Sequence, residues 1–228
     1  MQTVFPPAAP VLLPIAGSPL AFPVRRVYCV GRNYAAHARE MGQDPTREPP
    51  FFFQKNPDNC LLEGTAFPYP GHSQDVQFEV ELVVALKDGG SDISVADANS
   101  KIFGYAIGID FTRRDLQADA KKAGKPWAAA KAFEASAPIG PIVAAETLAL
   151  DPKARIWLSQ NGTLRQEGHL EDMTWTVPEV IAELSKLFRL APGDLIMTGT
   201  PAGVGPVARG DVIACGIDGL PDFTVTVA

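Results

Sequence analysis

The stretch Phe78-Glu79-Val80-Glu81-Leu82-Val83-Val84-Ala85-Leu86 places the tightest constraint on how this chain can fold. Its β-branched and apolar residues, bounded by turn formers, predict a strand. Side chains alternate faces along a strand, so Glu79 and Glu81 share one face while Val80, Leu82 and Val84 take the other. Neighbouring carboxylates on an otherwise apolar strand repel each other, and burial penalises both charges. Two arrangements escape that penalty. The strand can lie at a solvent-facing edge, or its carboxylates can share a hard divalent cation such as Mg²⁺, Mn²⁺ or Ca²⁺.

Composition narrows the setting. A chain of 228 residues, 46% hydrophobic, suffices for one well-buried core. Its Gly 20 and Pro 21 predict many short strands and turns. A net charge of −6 with no basic block argues against nucleic acid and anionic membrane as partners. Any anionic ligand then has to be held by local cations or a metal. Cys29, Cys60 and Cys215 fit neither a disulfide framework nor a zinc pattern, and predict reduced structural thiols in a cytoplasmic protein. No apolar run is long enough to span a membrane, and the apolar N-terminus is broken at Pro6, Pro7, Pro10, Pro14, Pro19 and Pro23, unlike a signal peptide.

Residues 1–24 form a Pro-rich leader expected to pack on a single domain of residues 25–228, with Val11-Leu12-Leu13 as a candidate edge strand. Val27 to Gly31 reads as a core strand, followed by a helix over Ala35 to Met41. His37 and Glu40 share a face of that helix. They are either an ordinary surface pair or a carboxylate orienting an imidazole for general-base work. Residues 42–50 read as a loop that, with the short helix, could close as a lid. Phe51-Phe52-Phe53 reads as a buried strand, with Gln54-Lys55-Asn56 at its end, a common location for functional side chains.

Ile102 to Ile109 is a further strand, in which Gly104 and Gly108 predict close packing or room for a ligand. Asp110 ends it, either capping the next segment or adding a third metal oxygen. The helix after Thr112 carries Arg113 and Arg114 at its start, which favours an anion. Lys131, within an apolar run, either snorkels or meets an anionic group. Arg155 to Asn161 and its return strand form a hairpin with Asn161-Gly162 as turn, and Val177 to Phe188 is an amphipathic helix. The loop Gly199-Thr200-Pro201-Ala202-Gly203-Val204-Gly205 lets a ligand approach the backbone and offers the Thr200 hydroxyl. It lacks the Lys and following helix of a P-loop, which excludes that nucleotide motif.

In order along the chain, these motifs resemble the fumarylacetoacetate hydrolase family. The resemblance rests on Gly31-Arg32-Asn33-Tyr34-Ala35 with His37 and Glu40, on Glu79-Val80-Glu81-Leu82, and on Gly108 to Asp115 with Gln117. It continues through Ala130-Lys131-Ala132-Phe133 and Thr198 to Gly205, so it covers the chain from about Val27 to the C-terminus. Size and the stretch from Pro23 to Lys55 look most like the family's small bacterial fumarylpyruvate hydrolases and acylpyruvases.

The resemblance implies an α+β, β-rich fold, a mixed β-roll with short flanking helices, assembled as a homodimer. It implies a Mg²⁺ or Mn²⁺ site (Ca²⁺ in a crystal) at Glu79, Glu81 and Asp110. The implied reaction is hydrolysis of a carbon–carbon bond in a 2,4-dioxo acid, fumarylpyruvate giving fumarate and pyruvate in aromatic catabolism. His37, oriented by Glu40, would activate water, and Lys131 with Gln117 would stabilise the oxyanion. Arg32, Tyr34, Arg113, Arg114, Gly199 and Thr200 would bind the small oxo-acid or dicarboxylate substrate. The rival activity on the same scaffold is decarboxylation or tautomerisation of oxaloacetate or a related oxo-diacid, since fold alone does not choose.

Overall fold

The structure is a computed structural model that describes residues 2–40 and 48–228. Of the segment expected to act as a lid, residues 41–47 lie outside the described residues. The architecture is a mixed, β-rich roll with short helices. Its largest sheet runs in the order Phe51–Lys55, Arg26–Gly31, Asp194–Met197, Val80–Leu86, Ile102–Ile109, Ala137–Ile139 and Cys60–Leu62, with Val143–Ala144 pairing beside Ile102–Ile109. A second sheet joins Thr163–His169, Arg155–Gln160, Val212–Ile217 and Phe223–Thr226, and a small third one joins Gly205–Pro206, Val76–Phe78 and Thr112–Arg113.

Val80–Leu86 lies at the centre of the large sheet, antiparallel to Ile102–Ile109 on one side and to Asp194–Met197 on the other. All seven of its residues are buried. The edge-strand arrangement is therefore ruled out. Alternation assigns its two faces: Val80, Leu82, Val84 and Leu86 pack with Ile156, Leu158 and Ile213 of the second sheet and with Val180, Ile181 and Leu184 of the helix Val177–Leu187. Val83 and Ala85 pack with Val27, Cys29, Leu195 and Met197, and with Leu13, Phe22 and Val24 of the N-terminal segment.

The stretch read as one strand from Phe78 is divided at Glu79. Phe78 pairs with Gly205 in the third sheet, whereas Val80 pairs with Ile109 in the large one. The chain changes sheets at Glu79, which leaves that side chain at a seam between them. Leader residues Leu12–Pro14 pair with Ala21–Pro23 as a hairpin rather than as a lone edge strand. Gly104 and Gly108 serve close packing: a Cβ at Gly104 would stand 2.3 Å from Val143 O, and one at Gly108 2.7 Å from Val83 Cγ2. All three cysteines are free thiols. No helix among the described residues is long and apolar enough to cross a membrane.

Candidate metal centre and active-site cleft

The strand register brings the acidic residues together. Val80 pairs with Ile109, so Glu79 and Asp110 come next as opposed positions, joined where Asp110 N–H donates to Glu79 O at 2.8 Å. Glu81 stands opposite Gly108 in the same register. Carboxylate oxygens of Glu79, Glu81 and Asp110 all lie within 4.8 Å of one another, and all three residues are buried.

Three cations surround this cluster. Lys131, ending the helix Ala128–Lys131, donates to Glu79 Oε2 at 2.8 Å and to Asp110 Oδ2 at 2.6 Å. Arg114 Nη2 reaches Glu79 Oε1 at 2.5 Å. Lys55 Nζ lies 2.9 Å from Asp110 Oδ1 and donates to Ser136 Oγ and the Lys131 carbonyl. Burial raises the pKa of Glu79, but Lys131 and Arg114 outweigh it and hold the carboxyl well below the usual range. Glu81 goes the other way. Burial, then the Asp110 and Glu79 charges, push its carboxyl well above the usual range, and the Lys131 charge and the hydrogen bond from Gly199 N–H (2.8 Å) only partly offset them.

These residues fit a hard divalent cation. Asp110 Oδ1 is buried without a hydrogen-bond partner despite the nearby Lys55, and Glu81 has no cation paired with it among the described residues. A divalent ion would satisfy both deficits with oxygen ligands of the type Mg²⁺ and Mn²⁺ prefer.

A cleft opens beside the cluster. His37, Arg114, Gln117 and Lys131 face it, as do Arg32, Gly199 and Thr200. His37 Nδ1 lies 3.2 Å from Glu40 Oε2, and Glu40 accepts from Gly203 N–H at 3.1 Å, which ties the helix Ala35–Glu40 to the glycine-rich loop. Gly199 adopts φ 95°, and a Cβ there would stand 2.8 Å from Asn33 Cβ. The loop therefore needs glycine at the position whose N–H holds Glu81.

The expected residues divide by position. Arg114 is committed to the protein: its guanidinium also donates to Gln77 Oε1 (2.9 Å) and Gln117 Oε1 (2.8 Å). Gln117, with its oxygen so occupied, turns its amide NH₂ to other acceptors. Tyr34 is 2% exposed and lies away from the cleft lining, its hydroxyl buried without a hydrogen-bond partner. Arg113 also lies outside the lining, stacked 4.2 Å over the Phe133 ring with Nη1 donating to Ala129 O.

Three further residues shape the site. Lys55 stands in the sequence at the end of a phenylalanine-rich strand, a common location for functional side chains, with no role attached to it. Lys121 reads there as an ordinary basic residue in a helix's last turn. Gln166 gives no signal at all in a polar hairpin strand, yet it is fully buried. Its Oε1 accepts from Val80 N–H at 3.0 Å, and its Nε2 donates to Thr200 Oγ1 (2.7 Å) and Pro201 O (2.8 Å).

Comparison with known proteins bears on this site. Residues 26–228 match the family model described as fumarylacetoacetate (FAA) hydrolase C-terminal. The fumarylpyruvate hydrolase of Pseudomonas aeruginosa, solved in complex with Mn²⁺ and pyruvate, is 48% identical with a TM-score of 0.97, over 100% of this chain and 99% of that one. The mitochondrial oxaloacetate tautomerase FAHD1 of Mus musculus is 42% identical over 86% of this chain and 88% of its own length. The mitochondrial oxaloacetate decarboxylase of Dictyostelium discoideum is 40% identical over 86% of this chain and 90% of its own length.

Proposed function

The chain belongs to the fumarylacetoacetate hydrolase family, and from that premise we propose that it hydrolyses the carbon–carbon bond of a 2,4-dioxo acid, with fumarylpyruvate as substrate and fumarate and pyruvate as products. The observation that carries this reading is the full-length likeness to a fumarylpyruvate hydrolase, together with a buried carboxylate triad at the end of a cationic cleft.

Glu79, Glu81 and Asp110 would hold Mg²⁺ or Mn²⁺, which supplies Lewis-acid polarisation of a bound oxo-acid. The chain's own groups do the rest. His37 takes a proton from water, and Glu40 orients the ring and stabilises the imidazolium. The hydroxide adds to the 4-carbonyl, and the oxygen that gains charge is met by Gln117 NH₂ and by the Lys131 ammonium hydrogen not engaged by Glu79 or Asp110. The bond between the acyl carbon and the methylene then breaks. His37 returns its proton to the methylene carbon, which completes pyruvate, and the acyl group leaves as a carboxylic acid that ionises by giving its proton to solvent. The Thr200 hydroxyl accepts from Gln166, so its own hydrogen is available to a substrate oxygen.

With this activity go a homodimeric assembly and a place in aromatic-ring breakdown, both carried over from the resemblance, and the cytoplasmic setting expected from the cysteine pattern. A second reading, tautomerisation or decarboxylation of oxaloacetate, is favoured by the mouse and Dictyostelium relatives. Both readings are tested by giving purified, metal-loaded protein fumarylpyruvate, acetylpyruvate and oxaloacetate in parallel. Pyruvate with stoichiometric fumarate is the expected result. Enol–keto exchange or CO₂ release from oxaloacetate, with neither acylpyruvate cleaved, would replace the hydrolase by the second reading.

A further inference from the structure

Charge balance in the cleft is uneven. Beside the triad, Lys55, Arg114 and Lys131 are paired with Glu79 and Asp110. Arg32 and Lys121 also line the cleft, and among the described residues neither is ion-paired with a carboxylate. Both are seated on aromatic rings instead. The Arg32 guanidinium carbon lies 5.3 Å from the Phe51 centroid, and Lys121 Nζ lies 5.1 Å from the Trp127 centroid. Phe51 and Trp127 in turn meet edge to face at 5.2 Å. The shelf is built into the backbone: a Cβ at residue 31 would fall 2.0 Å from the Phe51 ring, so only Gly31 lets that ring occupy its place. Burial and the neighbouring Arg114 and Arg32 charges hold Lys121 below an ordinary lysine, a penalty that a bound anion would relieve.

From this arrangement we infer that Arg32 and Lys121, mounted on the Phe51–Trp127 shelf, form a subsite for a second carboxylate at the far end of the substrate's acyl group. The inference rests on the oxo-acid reading above and sharpens it to a long, planar diacid. Helix spacing sets the order. Arg114, Gln117 and Lys121 fall on one face of the helix Arg114–Lys122, so Lys121 stands two turns beyond the guanidinium that meets Glu79 and one turn beyond Gln117. A dioxo-diacid extended along that face presents its second carboxylate to Lys121, and acetylpyruvate has none to present. A conjugated acyl chain also lies flat against aromatic rings.

The subsite can be read without turnover. Protein saturated with Mn²⁺ and pyruvate is titrated calorimetrically with fumarate and with crotonate, which keeps the double bond but replaces one carboxylate by a methyl group. Fumarate is expected to bind at least about tenfold more tightly than crotonate. Lys121→Met should remove most of that preference, whereas Lys121→Arg, which keeps the charge, should retain it. Equal affinities in the wild-type protein, no binding of either acid, or an undiminished preference in Lys121→Met overturns the inference. Fumarylpyruvate cleavage is followed on the same preparations. Preference without cleavage keeps the subsite and rejects the hydrolase reading, while cleavage without preference rejects the subsite alone.

Discussion

In the proposed mechanism His37 relies on one neighbour. Glu40 lies 3.2 Å from its Nδ1 and is itself pinned by Gly203 N–H, so the ring is held with its other nitrogen available to the cleft. His37→Ala should lower kcat for acylpyruvate cleavage by about 10²–10⁴-fold and leave calorimetric metal affinity unchanged, because His37 is not among the clustered carboxylates. Unchanged turnover would remove the pair from the mechanism. Glu40→Gln keeps an acceptor for Gly203 but loses the charge that stabilises an imidazolium, so it should be impaired to a lesser degree in the same assay. Glu81→Gln tests the metal assignment separately. It should weaken metal binding by at least the about 10- to 100-fold that even a group supporting a ligand contributes, and wild-type affinity in calorimetry would refute it. At this scale the sequence revealed what charge and period expose: two glutamates on one face of an apolar strand announce themselves. It did not reveal Gln166 or Lys121, because an amide or a lysine in a polar stretch looks the same whether it faces solvent or a buried partner.

The elements matter through how they are joined. Gln166 links its own hairpin strand to two pieces of chain distant in sequence: the start of the central strand at Val80, and the glycine-rich loop at the Thr200 hydroxyl and the Pro201 carbonyl. Gln166→Leu would strand the Val80 N–H and the Pro201 C=O in a buried site, at about 1–3 kcal/mol for each, and would let the Gly199–Gly205 loop shift. The expected result is a lower urea midpoint together with a raised KM; an unchanged midpoint would show that the clamp is not structural. The N-terminal hairpin is tied in by packing instead. Leu13 is fully buried against the large sheet's second face, so Leu13→Ala should destabilise by about 2–5 kcal/mol, read by the same denaturation. Local elements were legible where turn chemistry is local. Asn161 and Gly162, with φ 53° and 78°, make the hairpin turn that their dipeptide predicts. Sheet order was not legible, since the placement of Asp194–Met197 between Arg26–Gly31 and Val80–Leu86 depends on contacts far apart in the chain. The switch between sheets at Glu79 was hidden for the same reason: no Gly or Pro marks it.

For the molecule as a whole, Glu79 and Glu81 couple folding to pH in separate windows, and a metal held by the triad would couple it to metal as well. Glu79 is held low by Lys131 and Arg114 despite its burial, so the stability it contributes is present above the unfolded carboxyl value of about 4.3 and is lost as pH falls below it. Glu81 is raised by burial and by the Asp110 and Glu79 charges. Above the unfolded value the metal-free native state therefore binds a proton that the unfolded chain has released, and its stability falls as pH rises toward the native value. A divalent cation needs that carboxylate ionised, so binding expels the proton and grows stronger through the same window. Between about pH 5 and about pH 8 Glu79 is ionised in both states, which leaves Glu81 as the member of the pair that titrates. Saturation at 100 times the dissociation constant stabilises by about 2.7 kcal/mol, and for a chain of this size about 2–4 °C per kcal/mol makes that a rise in Tm of about 5–11 °C. At a fixed Mn²⁺ or Mg²⁺ concentration chosen to give that rise near pH 8, the rise near pH 5 should be distinctly smaller, and Glu81→Gln should flatten the difference. A metal-induced rise of equal size at both values, in a protein whose melting is reversible, would mean that Glu81 does not exchange its proton for the ion and would remove it from the metal site.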